Sequence, residues 1–152
     1  MSAAENNNHT MKLPSNIQFP RDVEFLDDLP LFFYRPRGVI TEGSVNRAIK
    51  VLGELEFLVK QPFDRFTDTL EAEAIDLNFH YILHVSLYRR LSYSGRPPVK
   101  SAILATDATA IHYARLHAVL TQGSPLKVRI FQEAKEAAKW LKVPIERLVA
   151  RT

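Results

Sequence analysis

Between Thr41 and Trp140 the spacing of apolar residues switches repeatedly between a helical period and short strand-like runs. Thr41 is a good helix N-cap, and Val45, Ala48, Ile49, Leu52, Leu55 and Val59 follow at helical spacing until Pro62 ends the segment. Phe63 to Thr69 is short, aromatic and Thr-containing, which favours a strand with its charges at the ends or in a cleft. Glu71 to Ile75 reads as a connection and Asp76 as the next N-cap. Leu77 to Leu91 is the longest helical pattern, stopped by Ser94-Gly95-Arg96-Pro97-Pro98. Ser101 to Thr106 is a small apolar run of the kind buried on both faces of a parallel sheet. Thr106 or Asp107 caps a helix that runs to about Thr121 and finishes at Gly123. Leu126 to Phe131 alternates as a strand with one wet and one dry side. Ala134, Ala137, Ala138 and Leu141 then mark an amphipathic helix containing Trp140, and Pro144 opens a short last one through Leu148.

Upstream, Val23–Leu26 and Leu31–Tyr34 flank the turn-forming Asp27-Asp28-Leu29-Pro30, so they read as a hairpin. Arg35-Pro36-Arg37-Gly38 interrupts before Val39-Ile40, predicting a strand that bends or bulges on its way out of the sheet. The order is ββαβαβαβα. Helices alternating with short strands imply right-handed crossovers onto a sheet that is parallel except for the hairpin at its edge. Residues 1–16 are polar and Asn-rich and read as a flexible tail, leaving residues 17–152 as one domain.

Composition narrows the chemistry. A chain of 152 residues, 46% hydrophobic, is long enough to bury a real core, so disorder is excluded for most of it. It contains no cysteine, which removes disulfides, thiolate metal sites, iron–sulfur clusters and a cysteine nucleophile. A net charge of +3 is too small for a dedicated nucleic-acid binder, so no nucleic-acid partner is expected. The amino terminus lacks the basic start and apolar run of a signal peptide, and no stretch approaches a membrane span, so a cytoplasmic protein is expected.

The blocks Gly38-Val-Ile-Thr41, Phe66-Thr-Asp68, Ile75-Asp76-Leu77, Ala102-Ile-Leu-Ala105 and, most specifically, Val128-Arg-Ile-Phe131 followed by Ala137-Ala-Lys-Trp140-Leu141 occur in this order. On these blocks, over about residues 20 to 142, the chain resembles the SpoIIAA-like (STAS-like) family of small bacterial α/β domains. The resemblance implies a mixed four- to five-stranded sheet flanked by helices. It also implies kinship with anti-sigma-factor antagonists, which bind a partner kinase and are switched by phosphorylation of a serine at the start of the helix after the central strand. In the corresponding stretch, Ile75-Asp76-Leu77-Asn78-Phe79, no Ser or Thr stands in that place, so the phosphate switch is expected to be absent. Thr67, Thr69, Thr106 and Thr109 are available hydroxyls that nothing singles out.

No catalytic set stands out: nucleophile-elbow, phosphate-loop and dinucleotide fingerprints are all missing, and no cofactor is expected. His80 and His84 share a helix face but lack the Glu of the zinc-protease motif and a defined third ligand, so no metal site is assigned. The long helix carries one stripe of Phe79, Ile82, Leu83 and Ser86 and a second of Leu77, Tyr81, Val85 and Tyr88 with His84 beside it. The second stripe packs on a neighbouring helix or the tail, or else forms a homodimer contact or ligand groove, with Tyr81, His84 and Tyr88 as the contact face. Residues 64–76 carry five carboxylates against Arg65, and residues 89–100 carry four cations, an arrangement the helix dipole favours. Arg89, Arg90 and Arg96 are candidates for anion binding. Asp68, Asp76, Thr106 and Asp107 lie where open α/β sheets place ligand sites. The leading expectation is a non-enzymatic regulatory or interaction domain that binds a protein partner, a second copy of itself, or a small ligand at that strand-to-helix edge. The alternatives are a lipid- or membrane-surface-associated carrier and a metal-dependent enzyme using the His80/His84 face.

Overall fold

The computed structural model describes residues 17–149. The tail expected at residues 1–16 lies outside them, as do residues 150–152.

The hairpin forms first along the chain. β1 (Val23–Leu26) and β2 (Leu31–Tyr34) pair antiparallel, and β2 then pairs in parallel with β4 (Asp64–Asp68). β6 (Val99–Leu104) and β7 (Leu126–Phe131) extend the parallel part, giving a five-stranded sheet in the order β1-β2-β4-β6-β7. The crossovers carry α1 (Glu42–Leu58), α2 (Phe79–Ser92) and α3 (Ala108–Leu120), while α4 (Ala134–Leu141) and a short 3₁₀ turn (Ile145–Arg147) follow the last strand. The mixed sheet, its edge hairpin and the alternating helices are those read from the sequence.

Two further strands lie outside that sheet. β3 (Gly38–Thr41) turns away at Gly38, whose φ of 69° is readily adopted only by glycine, and its register slips between Gly38 and Val39. It pairs in parallel with β5 (Ala72–Asp76) as a small second sheet. Glu71 to Ile75 is therefore largely strand, not mere connection. Its Ala and Glu residues have weak strand propensity, and it is the pairing with β3 that satisfies its backbone. The same pairing displaces a cap. Asp76 is held opposite Thr41 at the end of β5, so α2 starts two residues later, where Asn78 Oδ1 accepts the Tyr81 N–H at 2.9 Å.

The other helix starts fall where the side chains dictate. Thr41 and Ser44 form a reciprocal capping box, the Ser44 N–H donating to Thr41 Oγ1 at 3.2 Å and the Thr41 N–H to Ser44 Oγ at 2.9 Å. Asp107 Oδ2 accepts the N–H groups of Thr109 and Ala110 at 3.0 and 3.1 Å.

The two faces of the sheet differ. On one, Leu31, Phe33, Phe66, Ala102 and Leu104 close-pack against Ala137, Ala138 and Leu141 of α4, with Leu148 fully buried behind them. On the other, α1 packs Ala48, Val51, Leu52 and Leu55 against Phe32 and Tyr34. Neither α2 nor α3 gives a residue to any of the three buried hydrophobic clusters among the described residues. No helix among these residues is long and apolar enough to cross a membrane.

Candidate functional site: a cavity with a charged end

The pleat puts Phe32, Tyr34, Arg65, Thr67, Ser101 and Ile103 side by side on one face, since Phe32 is in register with Arg65, and Arg65 with Ser101. Above this face α1, α2 and α3 line a partly open cavity of about 210 Å³. Its walls are chiefly aliphatic and aromatic, with Ile49 and Leu52 from α1, Ile82 and Val85 from α2, and Ile103 and Phe32 from the sheet. The space exists because the residues that α3 and α2 turn toward it are small: Ala110, Ala114 and Ser86 are buried yet do not fill it. Close-packed interiors hold few voids larger than a water molecule, so a cavity of this size is a departure from ordinary core packing.

One end of the cavity is lined by Arg65 and Arg89, whose shared partner Glu56 pairs with them without lining the cavity itself. Glu56 of α1 receives Arg65 Nη2 of β4 at 2.8 Å and Arg89 Nη2 of α2 at 2.5 Å, both on Oε2, and all three side chains are buried. Arg65 Nε donates to the Phe63 carbonyl at 3.0 Å, and its guanidinium lies over the rings of Phe63 and Tyr93. Arg65 Nη1 is buried with no hydrogen-bond partner among the described residues. Burial pulls the Arg65 pKa down, and the Glu56 carboxylate opposes that pull.

Beside it, Ser86 Oγ and His117 Nδ1 are 2.8 Å apart. Desolvation, and secondarily the Arg89 charge, lowers the His117 pKa to about 4, so its ring is neutral at pH 7. The charged end thus holds two guanidiniums and one carboxylate.

Polar ties help to hold α2 and α3 over the cavity. The Tyr113 hydroxyl donates to the Leu77 carbonyl at 3.1 Å, and Arg90 Nη1 reaches the Leu120 and Gln122 carbonyls at the end of α3 at 3.2 and 2.6 Å. The Tyr81 hydroxyl donates to Asn46 Oδ1 at 2.5 Å, and burial pushes its pKa up to about 12.

The residues singled out from the sequence are distributed as follows. Asp68, Asp76 and Asp107 lie at or just beyond strand ends, but Asp68 is engaged by Arg35 Nε at 2.9 Å and by the Leu70 N–H, and Asp107 caps α3. Asp76, Thr106 and Asp107 are exposed, and none of these four residues lines the cavity. His84 and Tyr88 are exposed on α2, whereas Tyr81, two turns before Tyr88 on the same side, is buried with its hydroxyl on Asn46 of α1. Arg89 is buried on Glu56, Arg90 is spent on the end of α3, and the exposed Arg96 donates to the Glu56 carbonyl at 3.3 Å. Both His80 and His84 are exposed, and no three His, Cys, Asp or Glu side chains among the described residues come together as a metal site.

Glu56, Arg65, Ser86 and His117 were the residues that sequence reasoning missed. A signal was present: Glu56 lies between Leu52 and Val59 on the apolar stripe of α1, and Ser86 follows Ile82 by one turn. Polar residues on core-facing stripes are the informative exceptions.

No family model matches the chain, and no curated protein matches it closely enough to count as a relative. Among solved structures, the chain is similar to an uncharacterised protein of the DUF3478 family with a SpoIIAA-like fold from Shewanella loihica. The TM-score is 0.52 at 16% identity, over 78% of this chain and 90% of that one. The fold is SpoIIAA-like: an α/β domain with a mixed five-stranded sheet and four helices.

Proposed function

We propose that the protein is a non-enzymatic binding domain of the STAS-like type that holds a small, mostly apolar molecule in the cavity beneath α2 and α3. The observation that carries this reading is the cavity of about 210 Å³ on one face of a sheet whose other face is close-packed. Ligand sites are concave, largely apolar and furnished with a few convergent polar groups, which describes this space and its Glu56–Arg65–Arg89 end. No nucleophile–base pair with a reacting position is needed to account for it. Titration of the full chain with 1-octanol, followed by calorimetry, tests the proposal: saturable binding is expected, and its absence at millimolar alcohol refutes the cavity as a ligand site.

A second reading is favoured by one observation. His80, His84, Leu87, Tyr88 and Leu91 lie along one exposed side of α2, with Leu91 75% exposed. Such a stripe suits contact with a second copy of the chain or a protein partner. Light scattering across a concentration series checks the self-association form of this reading; a mass fixed at that of one chain contradicts it.

A further inference from the structure

We infer that the molecule held in the cavity is a small amphipathic monocarboxylate, its tail against the aliphatic walls and its carboxylate on Arg65. This rests on the cavity being a ligand site, as proposed above, and adds the chemistry of the head group.

Arg65 carries the argument. Its Nε is committed to the Phe63 carbonyl and its Nη2 to Glu56, while Nη1 is buried without an acceptor. A buried, unpaired charged donor is costly, and native structures rarely leave one unless something else completes it. The side chain is 4% exposed and lines the cavity on one side and a smaller pocket with Phe63, Tyr93 and Arg96 on the other; we place the acceptor in the cavity, whose wall also carries the Ser86 and Ser101 hydroxyls.

The charge count agrees. Arg65 and Arg89 share the single carboxylate of Glu56, and the nearby His117 is neutral. Arg96 is exposed and reaches only the Glu56 main-chain carbonyl, at 3.3 Å, so it stands outside this buried count. An excess of one positive charge in a desolvated site favours a monoanion over a neutral molecule or a cation, and an Arg–carboxylate hydrogen bond is stronger than a neutral one. Ser101, in register with Arg65, and Ser86 add hydroxyls at the cavity wall.

Size sets the tail. A cavity of about 150 Å³ accepts benzene, so 210 Å³ takes about eight to ten non-hydrogen atoms. That is a free short-chain or aromatic acid, not the long acyl chain of a membrane lipid.

The test compares octanoate with 1-octanol, which match in chain length and differ in head-group charge, by calorimetry on the full chain at pH 7. Octanoate is expected to bind at least about tenfold more tightly. Arg65→Met is expected to abolish that preference while retaining octanol binding. Should that variant not fold, the Arg65 side-chain N–H resonances of the wild type serve instead, shifting with octanoate and not with octanol. Equal affinity for the two compounds, or a preference that survives Arg65→Met, overturns the head-group assignment and leaves the cavity reading intact. Failure of both compounds to bind overturns the cavity reading and this inference with it. Palmitate binding more tightly than octanoate overturns the assignment to a small acid.

Discussion

Arg65 of the central strand β4 and Arg89 of α2 are held by the same carboxylate oxygen, Glu56 Oε2, at 2.8 and 2.5 Å. One acidic side chain on α1 therefore ties the sheet to the helix that roofs the cavity. Removing it leaves two buried guanidiniums unpaired. Glu56→Ala is expected to cost about 3–5 kcal/mol, the penalty for breaking a buried pair from one side. Urea denaturation measures it. Asp28→Asn, which breaks the exposed pair with Arg147, is the control and should leave the midpoint nearly unchanged.

His117 makes stability depend on pH. Its ordinary pKa of 6.5 is lowered to about 4 in the folded protein, so between these values the unfolded chain binds the proton more readily. Its contribution to stability is fully present above about pH 6.5 and is lost as pH falls toward 4. The size is roughly 3–4 kcal/mol, by the rule that one pKa unit is worth about 1.4 kcal/mol. Urea midpoints at pH 7, 5.5 and 4 should fall in that order, and His117→Gln should flatten the part of the slope that His117 causes.

The contrast between the two faces of the sheet predicts opposite outcomes for the same change in side-chain volume. Ala114→Leu projects into the cavity and should leave stability unchanged or raise it while reducing octanol binding. Ala137→Leu adds the same atoms where Ala137 is already fully buried against Phe66 and Leu104, and should cost about 1–3 kcal/mol by overpacking. Thermal denaturation of the two variants decides it.

Since α2 and α3 stand outside all three buried clusters, their backbone amides should exchange faster than those of α1 and α4. Hydrogen exchange followed by mass spectrometry or NMR checks this. Equal protection across the four helices contradicts it.

The fold was legible because period and punctuation agreed. Pro62, Pro97 and Gly123 separate elements whose apolar spacing already names their type, and Thr41 and Asp107 cap the helices they precede. The small sheet was not legible, because Ala72–Asp76 has the composition of a connection and becomes a strand only by pairing with β3. The cavity was hidden for a different reason. A helical stripe shows that Ala110, Ala114 and Ser86 face inward, but not whether neighbouring elements come close enough to fill the space above them. The Glu56–Arg65–Arg89 cluster joins three elements far apart in the chain. In the sequence Arg65 is only one cation amid an acidic segment, and Arg89 one of a basic group.

The cavity as a ligand site is tested most directly by amide chemical-shift mapping of the full chain titrated with 1-octanol. Saturable shifts are predicted along β4, β6 and the cavity-facing residues of α1, α2 and α3, among them Leu52, Ile82, Ser86, Ala114 and His117, with α4 unmoved. Shifts confined to exposed side chains such as Leu91 and Val119, or none that saturate, would contradict it.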